Sequence, residues 1–249
     1  MNRSIRMMAS ALMAASCALS IVPAQANVIV AGTRVIFPAT DAEVTVRLTN
    51  DNNTPALVEA WIDSGDEHST PDKVNTPFLI TPPLFRMDPH KDQSLRIIAT
   101  PAPLPADRES LFWLNVLEIP PKPSGKAFVG KNILQLAIRS RLKLFYRPAG
   151  LKGDPSKAAS EVTWKAVPDG KGYALEVKNP SEYHVTIVQL SADVNGKSYD
   201  AAPGMVDPLS TLRISLKGLT SAPAVGTSVT YTIVNDYGAT TPLKGNVTP

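Results

Sequence analysis

The sequence predicts an all-β protein built from two sandwich domains. Three observations carry that expectation. Short segments alternate apolar and polar side chains with the two-residue period of a half-buried strand. Turn and proline clusters break the chain at intervals suited to strands of about 5–6 residues. No stretch sustains the 3.6-residue period of an amphipathic helix.

Not all 249 residues count toward that fold. Arg3 and Arg6 make a basic start, Met7–Val22 is mostly apolar and uncharged, and Ala24-Gln25-Ala26 is a small-x-small cleavage signal. Residues 1–26 therefore read as a cleaved secretory signal peptide. The apolar run is shorter than a membrane span and no stop-transfer segment follows, so no membrane insertion is expected. Cys17 is the only cysteine, and Ala14-Ala15-Ser16 ahead of it fits a lipid-attachment site poorly. A mature chain from Asn27 has no cysteine, which excludes disulfides, thiol catalysis and cysteine-ligated metals. Without Arg3 and Arg6 it carries 23 basic and 22 acidic residues, a net +1. Such neutrality gives no electrostatic reason to propose nucleic acid or an anionic membrane as partner.

From residue 27 to 148 the chain reads as one domain of short strands. Val28–Phe37 comes first, then Ala42–Asn50, in which Val44, Val46 and Leu48 alternate with Thr45, Arg47 and Thr49. After the turn Asp51-Asn52-Asn53, Pro55–Asp63 sets Val58, Ala60 and Ile62 against Leu57 and Trp61, and Asp63–Asn75 is polar loop. Phe78–Ile80 and Leu84–Met87 flank Pro82-Pro83, Gln93–Ala99 is a further strand, and Leu111–Ile119 is apolar enough to be central. Seven or so strands in about 120 residues predict an immunoglobulin-like sandwich.

The longest pattern is Asn132–Arg147, after the proline- and lysine-bearing loop Pro120–Gly130. Leu134, Leu136, Ile138 and Leu142 fall on one side, interrupted by Ser140; Gln135, Ala137, Arg139, Arg141 and Lys143 fall on the other. Fully extended, such a strand would reach about 50 Å and overhang its own sheet. An overhanging apolar row must be covered by a partner or invite edge-to-edge aggregation. On pattern alone, the commoner role of such a row is its own domain's core.

Residues 149–249 form the second domain. Ala149–Ser160, rich in Gly, Pro, Ser and Lys, reads as an exposed linker or long first loop. Strands follow at Val162–Val167, Tyr173–Lys178, Val185–Asn195, Leu212–Leu216 and Ser228–Asn235, with a hairpin signal at Asn195-Gly196 and a last short piece near Val247. No internal repeat links the two halves.

The constellations that could carry chemistry are weak. His68, His90 and His184 stand alone in sequence and read as surface or turn histidines rather than metal ligands. Gly125–Lys131 approaches a phosphate-binding loop, but Asn132 stands where Ser or Thr is needed and a strand follows. Asp107-Arg108-Glu109 pairs carboxylates with an adjacent cation, as salt bridges do, and no serine sits in a Gly-x-Ser-x-Gly elbow. No catalytic residue, metal or cofactor is expected.

Several longer motifs agree with one another. They are Gly32-Thr33-Arg34-Val35-Ile36-Phe37, Ala60-Trp61-Ile62, Thr81-Pro82-Pro83, Asp107-Arg108-Glu109-Ser110-Leu111-Phe112, Glu118-Ile119-Pro120-Pro121, Ile133–Ile138, Lys143-Leu144-Phe145-Tyr146-Arg147-Pro148 and Asn235-Asp236-Tyr237-Gly238. In these, in this order, the chain resembles the periplasmic chaperones of the chaperone–usher pilus pathway, of the PapD and FimC type. The resemblance implies two immunoglobulin-like domains set as a boomerang with an interdomain cleft. It implies periplasmic localisation, pilin (fimbrial) subunits and an outer-membrane usher as partners, and no enzymatic activity.

Carried over residue by residue, the resemblance makes Leu134, Leu136 and Ile138 an apolar row donated to a subunit lacking a strand. It makes Arg34 and Lys143 the anchor for the subunit's C-terminal carboxylate, and Glu109, Arg147 and Asp236 an interdomain ion network. The short, cysteine-free loop before the donor strand resembles the short-loop branch of the family. Lys143 has the opposite parity to Leu134, Leu136 and Ile138, so a twist or bulge is expected to reconcile their roles. A competing reading is an exported tandem adhesive or scaffolding module, which needs no cations in its cleft. A sandwich enzyme such as a metal-dependent dismutase lacks the clustered histidines.

Overall fold

The stretch expected as a single first strand is shared between two sheets. A computed structural model describes residues 28–124 and 130–249; the signal-peptide expectation for 1–26, Cys17 included, and residues 125–129 of the Gly125–Lys131 stretch lie outside the described residues. The first domain holds β1 (Val28–Val30), β2 (Arg34–Pro38), β3 (Glu43–Asn50), β4 (Ala56–Asp63), β5 (Phe78–Thr81), β6 (Leu84–Met87), β7 (Asp92–Ala99), β8 (Ser110–Ile119) and β9 (Ile138–Arg147). One sheet has the order β1-β3-β7-β5 and the other β2-β9-β8-β4-β6. Between β1 and β2 the chain crosses from sheet to sheet, turning at Gly32, whose φ of +89° favours a residue without Cβ. Phe37, Leu48, Val58, Leu95, Ile97, Leu114 and Leu144 are fully buried between the sheets.

The 132–147 expectation is corrected in one respect. Only Ile138–Arg147 is strand, and residues 131–137 belong to no ladder. The neighbouring strand explains this: β8 pairs with β9 as far as Glu118 opposite Ile138, and then meets Pro120-Pro121, which have no N–H to donate. The overhang is present, but it is held by side-chain contact, with Gln135 Nε2 donating to the Pro120 carbonyl at 2.8 Å and the Pro121 carbonyl at 3.2 Å.

The second domain holds β10 (Thr163–Asp169), β11 (Gly172–Lys178), β12 (Val185–Val194), β13 (Lys197–Ala201), β14 (Gly204–Val206), β15 (Thr211–Ser215), β16 (Ser228–Val234) and β17 (Thr240–Thr248). Its strands run β13-β12-β16-β17-β10-β11-β15, with β14 also on β12. The final strand is longer than expected because β17 joins two layers, antiparallel to β16 and parallel to β10. Asn195-Gly196 makes the tight β12–β13 hairpin, both residues with positive φ. The expected linker is exposed only in part: Ala158 and Ala159, in a short 3₁₀ turn, are buried in the second core, and the Ala159 carbonyl accepts Tyr231 Oη at 2.8 Å.

The two domains share one device that the sequence does not advertise. Asn50 and Asn179 are both fully buried. Asn50 Nδ2 donates to the carbonyls of Thr54, Met87 and Asp88, and its Oδ1 accepts the Asn52 amide. Asn179 Nδ2 donates to the carbonyls of Tyr183, Val206 and Asp207, and its Oδ1 accepts the Ser181 amide. Each amide stitches a turn to a neighbouring strand at the same local offsets, i+2 and i+4. Replacing Asn179 with Leu would strand these carbonyls in the interior, and buried unpaired polar groups cost about 1–3 kcal/mol each. Urea unfolding of Asn179→Leu should therefore show a loss of at least about 2 kcal/mol.

Candidate functional site

β9 keeps an unbroken register with β8 from Ile138 to Tyr146 and with β2 from Lys143 to Arg147. No bulge reconciles the two parities. Leu142 and Leu144 face the core, while Arg139, Arg141, Lys143, Phe145 and Arg147 line the outer face of the sheet. Leu134, Leu136 and Ile138 have the inward parity but lie at or beyond the end of the sandwich, and are 84%, 64% and 47% exposed. They are not part of the first domain's core.

The cations of the outer face differ in what they meet. Arg141 lies 4.2 Å from the Trp113 ring centroid and donates from Nη2 to Oδ1 of buried Asp63 at 2.7 Å. Asp63 also accepts Asn115 Nδ2 at 2.7 Å and Ser69 Oγ at 3.1 Å. Burial pushes the Asp63 carboxyl up, yet the hydrogen bonds from Arg141, Asn115 and the Gly65 amide win and hold it below its usual range. Arg147 donates to Glu109 Oε1 at 2.7 Å and pairs with Asp236 Oδ2 at 2.9 Å, while its guanidinium covers the Tyr183 ring. The three residues assigned to an ion network by resemblance thus meet across the domain junction.

Arg34 and Lys143 are different. They are register partners on adjacent parallel strands, so their side chains lie side by side. Arg34 Nη1 donates to the Val234 carbonyl of the second domain at 3.0 Å, and its buried Nε has no hydrogen-bond partner. Lys143 Nζ lies 5.7 Å from the Trp113 ring centroid and makes no ion pair among the described residues. Burial lowers the pKa of both groups, and the neighbouring Arg34 charge lowers that of Lys143 further. A cavity of about 360 Å³ opens between the domains beside Arg34, lined also by Phe145, His184 and Tyr237.

His184 corrects the expectation of a surface or turn histidine; His68 and His90 are exposed. The His184 ring is buried between Glu109 Oε2, 3.1 Å from Nδ1, and Asp207 Oδ1, 3.7 Å from Nε2, and packs on Phe145. Its amide donates to Glu109 Oε2 at 2.8 Å. Asp63 and Asn115 form a second buried polar cluster that sequence reasoning missed. No local signal could have found either one, because the contacts of Asp63 with Asn115 and Arg141, and of His184 with Glu109, join residues 52 to 78 apart in the chain.

With this geometry in view, the chain's relatives are informative. Residues 27–152 match the model of the pili and flagellar-assembly chaperone PapD N-terminal domain, and 157–245 that of the pili assembly chaperone PapD C-terminal domain. The chain belongs to the PapD family of pilus-assembly chaperones. This chaperone is 45% identical to the chaperone protein FimB/FhaD of Bordetella pertussis, over 99% of both chains. It resembles the crystal structure of the YadV chaperone at 37% identity and a TM-score of 0.75, covering 89% of this chain and 100% of that one. It also resembles a Salmonella enterica structure of the SafB chaperone in complex with the SafA pilin, at 27% identity and a TM-score of 0.73, covering 91% and 99% of the two chains. Its function is pilus assembly, and its family is one of chaperones rather than enzymes.

Glu109 is the hub of the domain junction. Burial pushes its carboxyl up, but the His184 ring and amide and the Arg147 guanidinium outweigh it and hold the pKa below the ordinary 4.5. A carboxyl depressed on folding contributes stability that is whole above its unfolded pKa and lost as pH falls through the folded one. Thermal unfolding of the wild type should therefore weaken below about pH 4.5, and Glu109→Gln should show a flatter acid limb. Glu109→Ala, which leaves Arg147 and His184 without their acceptor, should cost about 3–5 kcal/mol in urea unfolding.

Proposed function

We propose that this chaperone works in the periplasm, where it caps a pilin subunit by lending it the start of β9 and anchoring the subunit's C-terminal carboxylate between Arg34 and Lys143. It then passes the subunit to an outer-membrane usher. The observation that carries this reading is the free edge of β9. β2 covers β9 only from Lys143 onward, so the backbone from Ile138 to Leu142 has a neighbour on one side alone among the described residues. Residues 131–137 have no ladder partner on either side. A subunit lacking one strand could satisfy these backbone groups by β-augmentation, as in other strand-addition complexes.

The side chains suit the same event. Leu134, Leu136 and Ile138 project from the overhang, and burying each is worth about 1.5–3 kcal/mol, less the cost of ordering both partners. Arg34 and Lys143 are adjacent, partly desolvated and without an ion pair among the described residues. A carboxylate placed between them would relieve their repulsion and accept charge-assisted hydrogen bonds. The two parities then serve two roles. The inward row enters the subunit's groove, and the outward cations take its terminus from the cleft side.

Co-expression with a pilin subunit in the periplasm tests this. The wild type should co-purify with soluble subunit. Arg34→Ala and Lys143→Ala, still folded by circular dichroism, should each weaken the complex roughly 10- to 150-fold, the loss of one charge-assisted bond of about 1.5–3 kcal/mol. Leu136→Asp, at an exposed position, should abolish capture without lowering the unfolding midpoint. Undiminished recovery of subunit by all three variants would sink the proposal.

A further inference from the structure

The turn 235–239 joins β16 to β17 at the lip of the interdomain cavity, and every residue in it but one has a visible task. Asn235 Oδ1 accepts the amides of Tyr237 at 3.1 Å and Ala239 at 3.0 Å. The Asn235 amide donates to the Ala239 carbonyl at 3.0 Å, and the Gly238 amide to the Asn235 carbonyl at 2.9 Å. Asp236 holds Arg147 of the first domain. Gly238 has φ +82°, and a Cβ there would stand 2.4 Å from Thr33 Oγ1, so the turn's backbone lies against the first domain. Tyr237 remains. The residue is 93% exposed, and among the described residues it is the one aromatic among the exposed large apolar residues.

A single exposed tyrosine on a loose loop needs no explanation. This one is carried on a backbone fixed by four hydrogen bonds and tied to both domains. A rigid aromatic with two side-chain torsions offers a large contact area at a low entropic cost, which is how aromatic anchors act at binding surfaces. Tyr237 also borders the same cavity as Arg34, whose Nε lacks a partner; the lining includes Phe145 and Ile233, and of its carboxylates Glu109 and Asp236 are already paired with Arg147 while Asp154 accepts from Ser156. A cation, an apolar wall and an exposed ring around one opening match a chain terminus with a free carboxylate and a bulky last side chain.

We propose that Tyr237 is a specificity-determining residue for the subunit. It packs on the side chain of the subunit's last residue while Arg34 and Lys143 hold the carboxylate, and it favours termini ending in an aromatic or branched apolar residue. This rests on the carboxylate-anchor reading above. An aromatic terminal residue gains edge or offset contact with the ring, a branched aliphatic one gains apolar contact, and a serine leaves the ring bare.

The test uses the full-length chaperone and one pilin subunit that it captures, prepared with its last residue as Tyr, Leu or Ser. Affinities are measured by competition for the wild type, Tyr237→Ala, Tyr237→Phe and Arg34→Ala. The wild type should prefer Tyr and Leu over Ser. Tyr237→Ala should weaken the Tyr- and Leu-terminated complexes about tenfold, leave the Ser-terminated one nearly unchanged and so erase the ranking. Tyr237→Phe should keep it. A merely structural role would weaken all three alike. If Tyr237→Ala preserves affinities and ranking while Arg34→Ala loses the subunit, this inference alone is overturned. If Arg34→Ala also binds as wild type, the anchor reading falls with it.

Discussion

The structure turns on one unfinished strand edge. β9 pairs along its length with β8, yet β2 covers only its second half, because the preceding residues, β1, belong to the opposite sheet. On its other side the ladder stops where β8 runs into Pro120-Pro121. Two local features, a glycine turn and a proline pair, thus leave one stretch of backbone progressively unpaired toward residue 131. Exposed edges are ordinarily blunted because they template aggregation. Here the edge carries four exposed aliphatic side chains instead, Ile133, Leu134, Leu136 and Ile138.

Such an edge is useful only if its surroundings hold still, and the polar interior provides that rigidity. Glu109 accepts from Arg147, from the His184 ring and from the His184 amide, so one carboxylate joins the start of β8, the end of β9 and the second domain. Buried ion pairs seldom add net stability over a well-packed apolar core, but losing one partner is costly. The network is therefore better understood as a set of contacts spanning the domain junction than as a source of folding energy. At the same junction the Val234 carbonyl accepts Arg34 and the turn 235–239 lies against Thr33.

The outer face of the β9 sheet separates cations that are committed from cations that are available. Arg141 and Arg147 have carboxylates, and Arg34 and Lys143 have aromatic neighbours and a carbonyl but no ion pair among the described residues. Partial burial makes this deficit matter, since water screens an unpaired charge at an exposed position and does so poorly in a cleft. That deficit is what the proposed carboxylate anchor between Arg34 and Lys143 rests on.

The sequence by itself determined the strand content, the sandwich class and the alternation of β9, and motifs that resemble a known family pointed to Glu109, Arg147 and Asp236, which meet at the domain junction. Those features are local, written in periods of two, in turn residues and in contiguous words such as Asp-Arg-Glu-Ser-Leu-Phe. It did not show that Val28–Phe37 divides between sheets, that the ladder ends at Ile138, or that His184 is buried beside Glu109. Nor did it show that Asn50 and Asn179 perform the same task. Each of these depends on which distant segment lies alongside, because a hydrogen-bond ladder needs its partner strand and a buried polar side chain needs its acceptors. Only the tertiary structure brings those partners within reach.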